Sequence, residues 1–137
     1  MTPENRELLF KDLCGRVPYE VIVCIDGTTN AKLASVSYWE EVELQDGSRC
    51  LYDISDIKPY LFPLSSMTEE QEEEYGKCYD IDLANSTKNL YDRLDGKKVI
   101  NGYPMYNHID WFNRNHFDYR GLISMGLAND ATGLNIY

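Results

Sequence analysis

The period of the apolar positions changes along this chain, and the change separates a strand-rich first half from a helical second half. Residues 3–14 carry apolar side chains at helical spacing: Leu9 and Leu13 are four apart, with Phe10 and Cys14 alongside. Thr2 before Pro3, with Glu4 and Glu7 in the first turn, starts this helix, since proline tolerates the first helical position and acids complement the dipole there. Gly15 is the expected residue just past its end. From Val17 to Ile25 the odd positions Val17, Tyr19, Val21, Val23 and Ile25 alternate with Glu20, Ile22 and Cys24. That is the period of a strand with a largely apolar second face, which predicts a central position.

Asp26-Gly27 then turns the chain, and Leu33 to Tyr38 followed by Glu40 to Leu44 reads as one long strand or two, with the phase slipping at a bulge around Trp39. Asp46-Gly47 is a hairpin signal, because both residues tolerate positive φ, and Arg49 to Ile54 returns antiparallel. Pro59 and Pro63 bracket Tyr60-Leu61-Phe62, which predicts an extended piece or an edge strand rather than a central one. Thr68-Glu69-Glu70-Gln71 has the capping-box spacing, so a helix starts there, with Glu69, Glu70, Glu72, Glu73 and Glu74 making its first turns acidic and exposed. Leu83, Thr87, Leu90, Tyr91 and Leu94 form a second helical pattern ending at Gly96. Asn107 or His108 caps a short helix through Asn115, and Asp118 caps another from Tyr119 to Met125, with Gly126 as its left-handed stop and Leu127 packing behind. The predicted fold is a single α+β domain over 1–137. An N-terminal helix lies on a small antiparallel sheet, open or curled into a barrel, within a sheet-rich 1–64, and a helical C-terminal half over 68–128 closes one face.

Composition narrows the function classes. The chain has 137 residues, enough for a core without disulfide or metal support, and 43% hydrophobic against 26% charged residues is ordinary for a globular protein. Thirteen basic against 23 acidic residues give a net charge of −10. That surplus argues against direct nucleic-acid binding, which needs clustered Lys and Arg to neutralise phosphates, and against anionic membrane surfaces. It suits solubility or a basic protein partner. Cys14, Cys24, Cys50 and Cys78 show no C-x-x-C pair and follow no secretory signal, so they read as reduced thiols in a cytoplasmic protein, Cys24 and Cys50 as small buried hydrophobes within strands. No apolar run approaches the roughly 18 residues of a spanning helix.

Candidate chemistry concentrates between Tyr103 and Tyr119, where both histidines, Trp111 and five other aromatics fall in 17 residues. His108-x-Asp110 and His116-x-Asp118 repeat ligand-type residues eight apart, about 12 Å along a continuous helix. A break between two short helices would be needed to bring His108, Asp110, His116 and Asp118 onto one metal. Trp111, Phe112, Phe117 and Tyr119 can stack a base or hold a peptide, with Arg114 and Arg120 placed to meet phosphate or carboxylate; the plainer use of these rings is to seal the C-terminal helices onto the sheet. The candidate contact residues are Tyr103, Tyr106, Trp111, Arg114, His116 and Arg120. His116 and Arg120 also flank the expected helix start at Asp118, where free backbone N–H groups could receive an anion unless Asp118 occupies them itself. No nucleophile elbow, glycine-rich phosphate loop or other catalytic signature is present, so no cofactor is implied and a binding protein is expected ahead of an enzyme.

Two blocks carry a resemblance. Ile57-Lys58-Pro59-Tyr60-Leu61-Phe62-Pro63-Leu64-Ser65-Ser66-Met67-Thr68-Glu69-Glu70 and Asp110-Trp111-Phe112-Asn113-Arg114-Asn115-His116-Phe117-Asp118-Tyr119-Arg120-Gly121-Leu122-Ile123, about a fifth of the chain, resemble segments of small uncharacterised proteins of gut anaerobic bacteria and of their phages and integrated mobile elements. The resemblance implies a bacterial or phage cytosolic setting and an accessory gene, and it transfers no activity. With the charge and the aromatic segment it yields three readings in order: an accessory protein that binds a protein partner, a small nucleotide-like ligand-binding protein, and a metal-dependent hydrolase.

Overall fold

The computed structural model describes residues 1–79 and 105–137, and the helical pattern at 83–94 lies outside them. Helix α1 (Pro3–Arg16) starts as predicted, with Thr2 Oγ1 accepting a hydrogen bond from the Asn5 amide at 3.2 Å. It ends later than predicted, because Gly15 is not its stop but a point of close approach. A Cβ there would lie 3.1 Å from Asn113 Nδ2 on the crossing helix. The strand expected from Val17 is likewise shortened. Pro18 fixes a helical φ and lacks a ladder donor, so Val17–Tyr19 form a 3₁₀ turn, Glu20 takes a left-handed φ of 55°, and β1 covers Ile22–Ile25.

Strands β1 and β2 (Thr29–Val36) form a hairpin over a type I′ turn, with positive φ at Asp26 and Gly27 and the Thr28 amide donating to the Ile25 carbonyl at 3.1 Å. Strands β3 (Glu41–Leu44) and β4 (Leu51–Asp53) continue the meander, and the register shift falls between Leu33 and Ser35 rather than at Trp39. Strand β5 (Ile57–Pro63) runs antiparallel to β1 and parallel to two short strands, β6 (Phe117–Asp118) and β7 (Asn129–Asp130). The sheet is therefore mixed, in the order β4-β3-β2-β1-β5-β6 with β7 also on β5, and not purely antiparallel.

Strand β5 is paired along its length, against the edge position predicted from its prolines. The Asp26 amide donates to the Asp56 carbonyl, which sets the ladder phase so that Lys58 and Tyr60 face β1 while Pro59 faces away, and its missing N–H removes no bond to β1. Where β1 and β5 diverge, the Tyr137 hydroxyl bridges them, accepting from the Ile22 amide at 3.0 Å and donating to the Tyr60 carbonyl at 2.7 Å. Burial between the strands pushes that phenol up to about 12.

Two packed clusters result. One joins Leu9 and Leu13 of α1 to Val23, Ile25, Leu33, Val42, Leu44, Ile57 and Leu61 of the sheet. Each such side chain contributes roughly 1.5–3 kcal/mol on burial. The other gathers Met67, Tyr75, Trp111, Phe112 and Phe117. Helix α2 (Glu69–Tyr79) carries the predicted capping box, Thr68 and Gln71 each bonding the other's amide at 3.0 and 3.2 Å, and Glu69, Glu70, Glu73 and Glu74 are exposed. Helix α3 spans Met105–Arg114, starting before either predicted cap.

The helical C-terminal half is not observed: α3 is the one helix among the described residues after 104, and 115–137 consist of turns, β6 and β7. Of the two predicted ends of the 119–125 helix, only the stop at Gly126 is in place. Asp118 accepts the Leu122 and Ile123 amides at 2.8 and 2.9 Å. Gly126 adopts a φ of 73°, with the Leu127 and Gly126 amides donating to the Leu122 and Ile123 carbonyls, the Schellman closure. Asp118 is therefore not an N-cap, which would accept the Arg120 or Gly121 amide, and Gly121 takes a left-handed φ of 77° that interrupts the segment, leaving turns alone before Gly126.

Candidate partner-binding surface

The concentrated aromatic segment faces inward. Trp111 and Phe117 are each 1% exposed, and their rings stack at 5.8 Å with planes 8° apart, while Tyr75 of α2 meets the Trp111 ring at 4.9 Å. His108 is buried against the same cluster, its Nδ1 hydrogen-bonded to the Tyr75 hydroxyl. Trp111 is thus a core anchor rather than a contact residue. Tyr103 and the Tyr106 side chain lie outside the described residues.

The remaining candidates separate. Arg114 is exposed, its guanidinium 5.9 Å from the Tyr19 ring. His116 takes a left-handed φ of 62° and stacks on Tyr137 at 3.7 Å; burial and then the nearby Arg16 charge push its imidazole down to about 4, so the ring is neutral near pH 7. Arg120 lies over Tyr119 and reaches Asp12 at 3.4 Å. Asp12 in turn holds Arg16 at 2.7 Å, both fully buried, and Arg16 donates to the Phe117 carbonyl, so α1 is pinned to β6 by ionic groups inside the protein. The Leu122 and Ile123 amides are occupied by the Asp118 carboxylate, and no helix starts at Asp118 to offer the free N-terminal amides expected there. Of the four metal-ligand candidates, His108 and Asp118 are buried with these separate partners and Asp110 is exposed. Among the described residues no group of three or more His, Cys, Asp or Glu is placed to hold a metal.

The thiols also differ from expectation. Cys24 is buried in β1, but Cys50 lies exposed before β4, and Cys14 faces outward from α1. Cys24 borders a polar recess of about 320 Å³ with Asp26, Ser55, Asp56, Lys58 and Asn129. Burial, and then a hydrogen bond with Cys24, raise the pKa of the neighbouring Tyr60 phenol.

The exposed aromatic surface is elsewhere, at the tip of the β2–β3 hairpin. Tyr38 is 83% and Trp39 76% exposed, their rings edge to face at 5.2 Å. The tip is a three-residue loop: the Glu40 amide donates to the Ser37 carbonyl at 3.0 Å, and Glu40 takes the left-handed conformation, φ 60°, that glycine usually fills there. Such a conformation costs about 1 kcal/mol or more in a non-glycine residue and persists only when its surroundings hold it. Here they do. The Glu40 carboxylate binds Arg6 of α1, Arg6 forks onto Asp53 at 2.8 and 2.9 Å, and the Glu40 carbonyl accepts the Ile54 amide at 3.1 Å. The Arg6 guanidinium holds the Asp53 carboxyl well below the usual carboxylate range. The hairpin tip is thereby clamped beside α1, and between them opens a cleft of about 470 Å³ lined by Glu7, Phe10, Lys11, Tyr38, Trp39 and Glu40.

The sequence carried one sign of this surface, two adjacent large aromatics where the strand period breaks; the missing glycine concealed the turn. Among the described residues no helix is long and apolar enough to cross a membrane. Comparison with protein-family models, curated proteins and solved structures finds no match to this chain.

Proposed function

We propose that this is an accessory protein of a phage or mobile element that acts in the bacterial cytosol by binding a protein partner, and that the Tyr38–Trp39 hairpin tip beside α1 is its contact surface. The exposed, adjacent Tyr38 and Trp39 carry this reading. Two large rings left in water contribute nothing to the core, whereas tyrosine and tryptophan are the residues that anchor protein interfaces. Their support is rigid, since Glu40 is held in a strained conformation by Arg6 and the Ile54 amide, and a preordered contact loses less entropy on binding. The accessory setting rests on the resemblance of residues 57–70 and 110–123 to proteins of gut anaerobes and their mobile elements. Those segments pair with each other, Phe62 beside Phe117, so the resemblance bears on the scaffold and leaves the contact surface to this chain.

Affinity capture from a gut-anaerobe lysate, with the wild-type chain against a Tyr38→Ala/Trp39→Ala variant, tests the proposal. The expected result is a protein retained by the wild type and lost with the variant, its binding then reproduced with that protein purified. Equal recovery by both, or no retained protein, would overturn it.

A further inference from the structure

The chemistry of the cleft between α1 and the hairpin tip is narrower than that of a general contact surface. Three rings, Phe10, Tyr38 and Trp39, line it together with the carboxylates of Glu7 and Glu40 and the ammonium of Lys11, which Glu7 holds at 2.6 Å. The Tyr38 and Trp39 planes stand 83° apart, as two walls of a corner. Ring faces carry the negative side of an aromatic quadrupole, and perpendicular walls with acids beside them form the kind of box that holds an organic cation.

The charges around the cleft favour the same occupant. Glu7, Glu40 and Asp53 outnumber Arg6 and Lys11 three to two, a local balance of −1 within a chain of net −10. The two local cations are committed to carboxylates: Lys11 to Glu7 at 2.6 Å, and Arg6 to Glu40 and Asp53. Elsewhere two tyrosine faces carry the chain's own arginines, Arg16 and Arg120 over Tyr119 and Arg114 over Tyr19. Among the described residues no cation lies over Tyr38 or Trp39. Resting on the docking reading above, we propose that this cleft receives a guanidinium or ammonium side chain, and hence that the partner presents a basic segment bearing arginine or lysine.

The probe is a hexa-arginine peptide, with hexacitrulline, nearly the same shape without the charge, as its control. Each is titrated at low salt into the full chain while the two tryptophan indole N–H signals are followed by NMR. Hexa-arginine is expected to move the Trp39 signal and leave that of buried Trp111 in place, and hexacitrulline to move neither. Tyr38→Ala/Trp39→Ala keeps the net charge, so attraction to the acidic surface at large survives in it. Loss of the box is expected to weaken hexa-arginine binding about tenfold by calorimetry, roughly two- to fivefold for each ring. Undiminished binding to the double variant, an equal response to hexacitrulline, or no binding to the wild type would each overturn the inference. If the double variant loses a captured partner while its hexa-arginine affinity is unchanged, the docking reading stands and the cation reading falls. The converse result retains the cation site and removes the docking surface.

Discussion

The Trp111–Phe117 cluster and the Tyr38–Trp39 pair are built from the same kinds of side chain and have opposite fates. The first pair is 1% exposed at both rings and the second 83% and 76%. Local density of aromatics does not separate them, since it points to residues 103–119, the segment that is buried. What separates them is the opposing surface. Trp111 lies on α3, whose neighbours Phe112 and Phe117 and the facing Tyr75 enclose it, whereas Tyr38 and Trp39 occupy a hairpin tip with α1 on one side and solvent on the other. Packed rings supply stability, and rings held rigidly in water are available to a partner.

The sharpest way to break this comparison is to truncate the buried pair. Trp111→Ala or Phe117→Ala is expected to cost roughly 3–5 kcal/mol, enough to unfold a marginal domain, read as a loss of the urea or thermal transition. A variant keeping its melting temperature would move the ring to the surface and remove the contrast.

A comparable but smaller loss is expected from Asp12→Ala. Arg16 is fully buried, and Asp12 supplies the carboxylate that compensates it while also meeting Arg120. Deleting one partner of a buried pair leaves an uncompensated charge, about 3 kcal/mol by chemical denaturation. Replacing Asp12 and Arg16 together by apolar residues should recover much of it, because the penalty belongs to the orphaned charge and not to the absence of the pair.

These outcomes bear on what the sequence could disclose. Features closed by bonds within a few residues were legible: the Thr2 start, the Thr68–Gln71 box, the Asp26-Gly27 turn and the Gly126–Leu127 stop; Asp46-Gly47 was not the two-residue hairpin its residues predict, since Glu43 pairs with Leu51 across a longer loop in which Gly47 and Arg49, not Asp46, take positive φ. Features decided by distant partners were not legible. Gly15 looks like a helix end until Asn113 is seen across from it, and Pro59 looks like an edge marker until the ladder phase turns its missing donor away from β1. Gly126 stops its turn as its position predicts, but Asp118 caps no helix, because its carboxylate reaches past the left-handed Gly121 to the Leu122 and Ile123 amides. The proposed contact surface was the least legible part. Glu40 stands where the turn code calls for glycine and is kept there by Arg6, 34 residues away. Conversely, every described residue of the aromatic segment was conspicuous in sequence, and its inward orientation depends on α2 and β5, which no local pattern reveals.

A third test uses pH at His116, which stacks on Tyr137. The folded-state pKa of His116, about 4, lies below its ordinary value of 6.5, so between these values the unfolded chain binds a proton that the folded chain does not. Stability from this group is therefore full above about pH 6.5 and declines on acidification to about pH 4. Discounting for the ring's partial exposure, the loss is on the order of 1 kcal/mol. His116→Asn, which tolerates the left-handed backbone, should flatten the denaturation midpoint across that window. Asp53 acts at lower pH: its carboxyl is held below the ordinary range, so its contribution is lost only as pH falls beneath about 3.8. A profile in the variant identical to that of the wild type between pH 4 and 6.5 would remove His116 as the cause.

The smallest expected effect carries the other half of the comparison. Tyr38→Ala/Trp39→Ala removes two of the largest side chains in the protein, yet both stand mostly in water, make their ring contact with each other, and contribute no hydrogen bond to the Glu40 clamp, whose bonds run from the Glu40 carboxylate and backbone. Surface changes away from caps and networks usually stay within about 0.5 kcal/mol, so the urea midpoint should match that of the wild type. The fluorescence should change even though the stability does not. Trp39 is the water-exposed fluorophore and Trp111 the buried one, so the variant's emission should shift to the blue and resist acrylamide quenching. A stability loss of about 2 kcal/mol or more, well outside the surface range, would show that the tip rings brace α1 against the sheet. In that event both aromatic regions would be scaffold, and the contact surface would have to be sought on the acidic face of α2, where Glu69, Glu70, Glu73 and Glu74 are exposed.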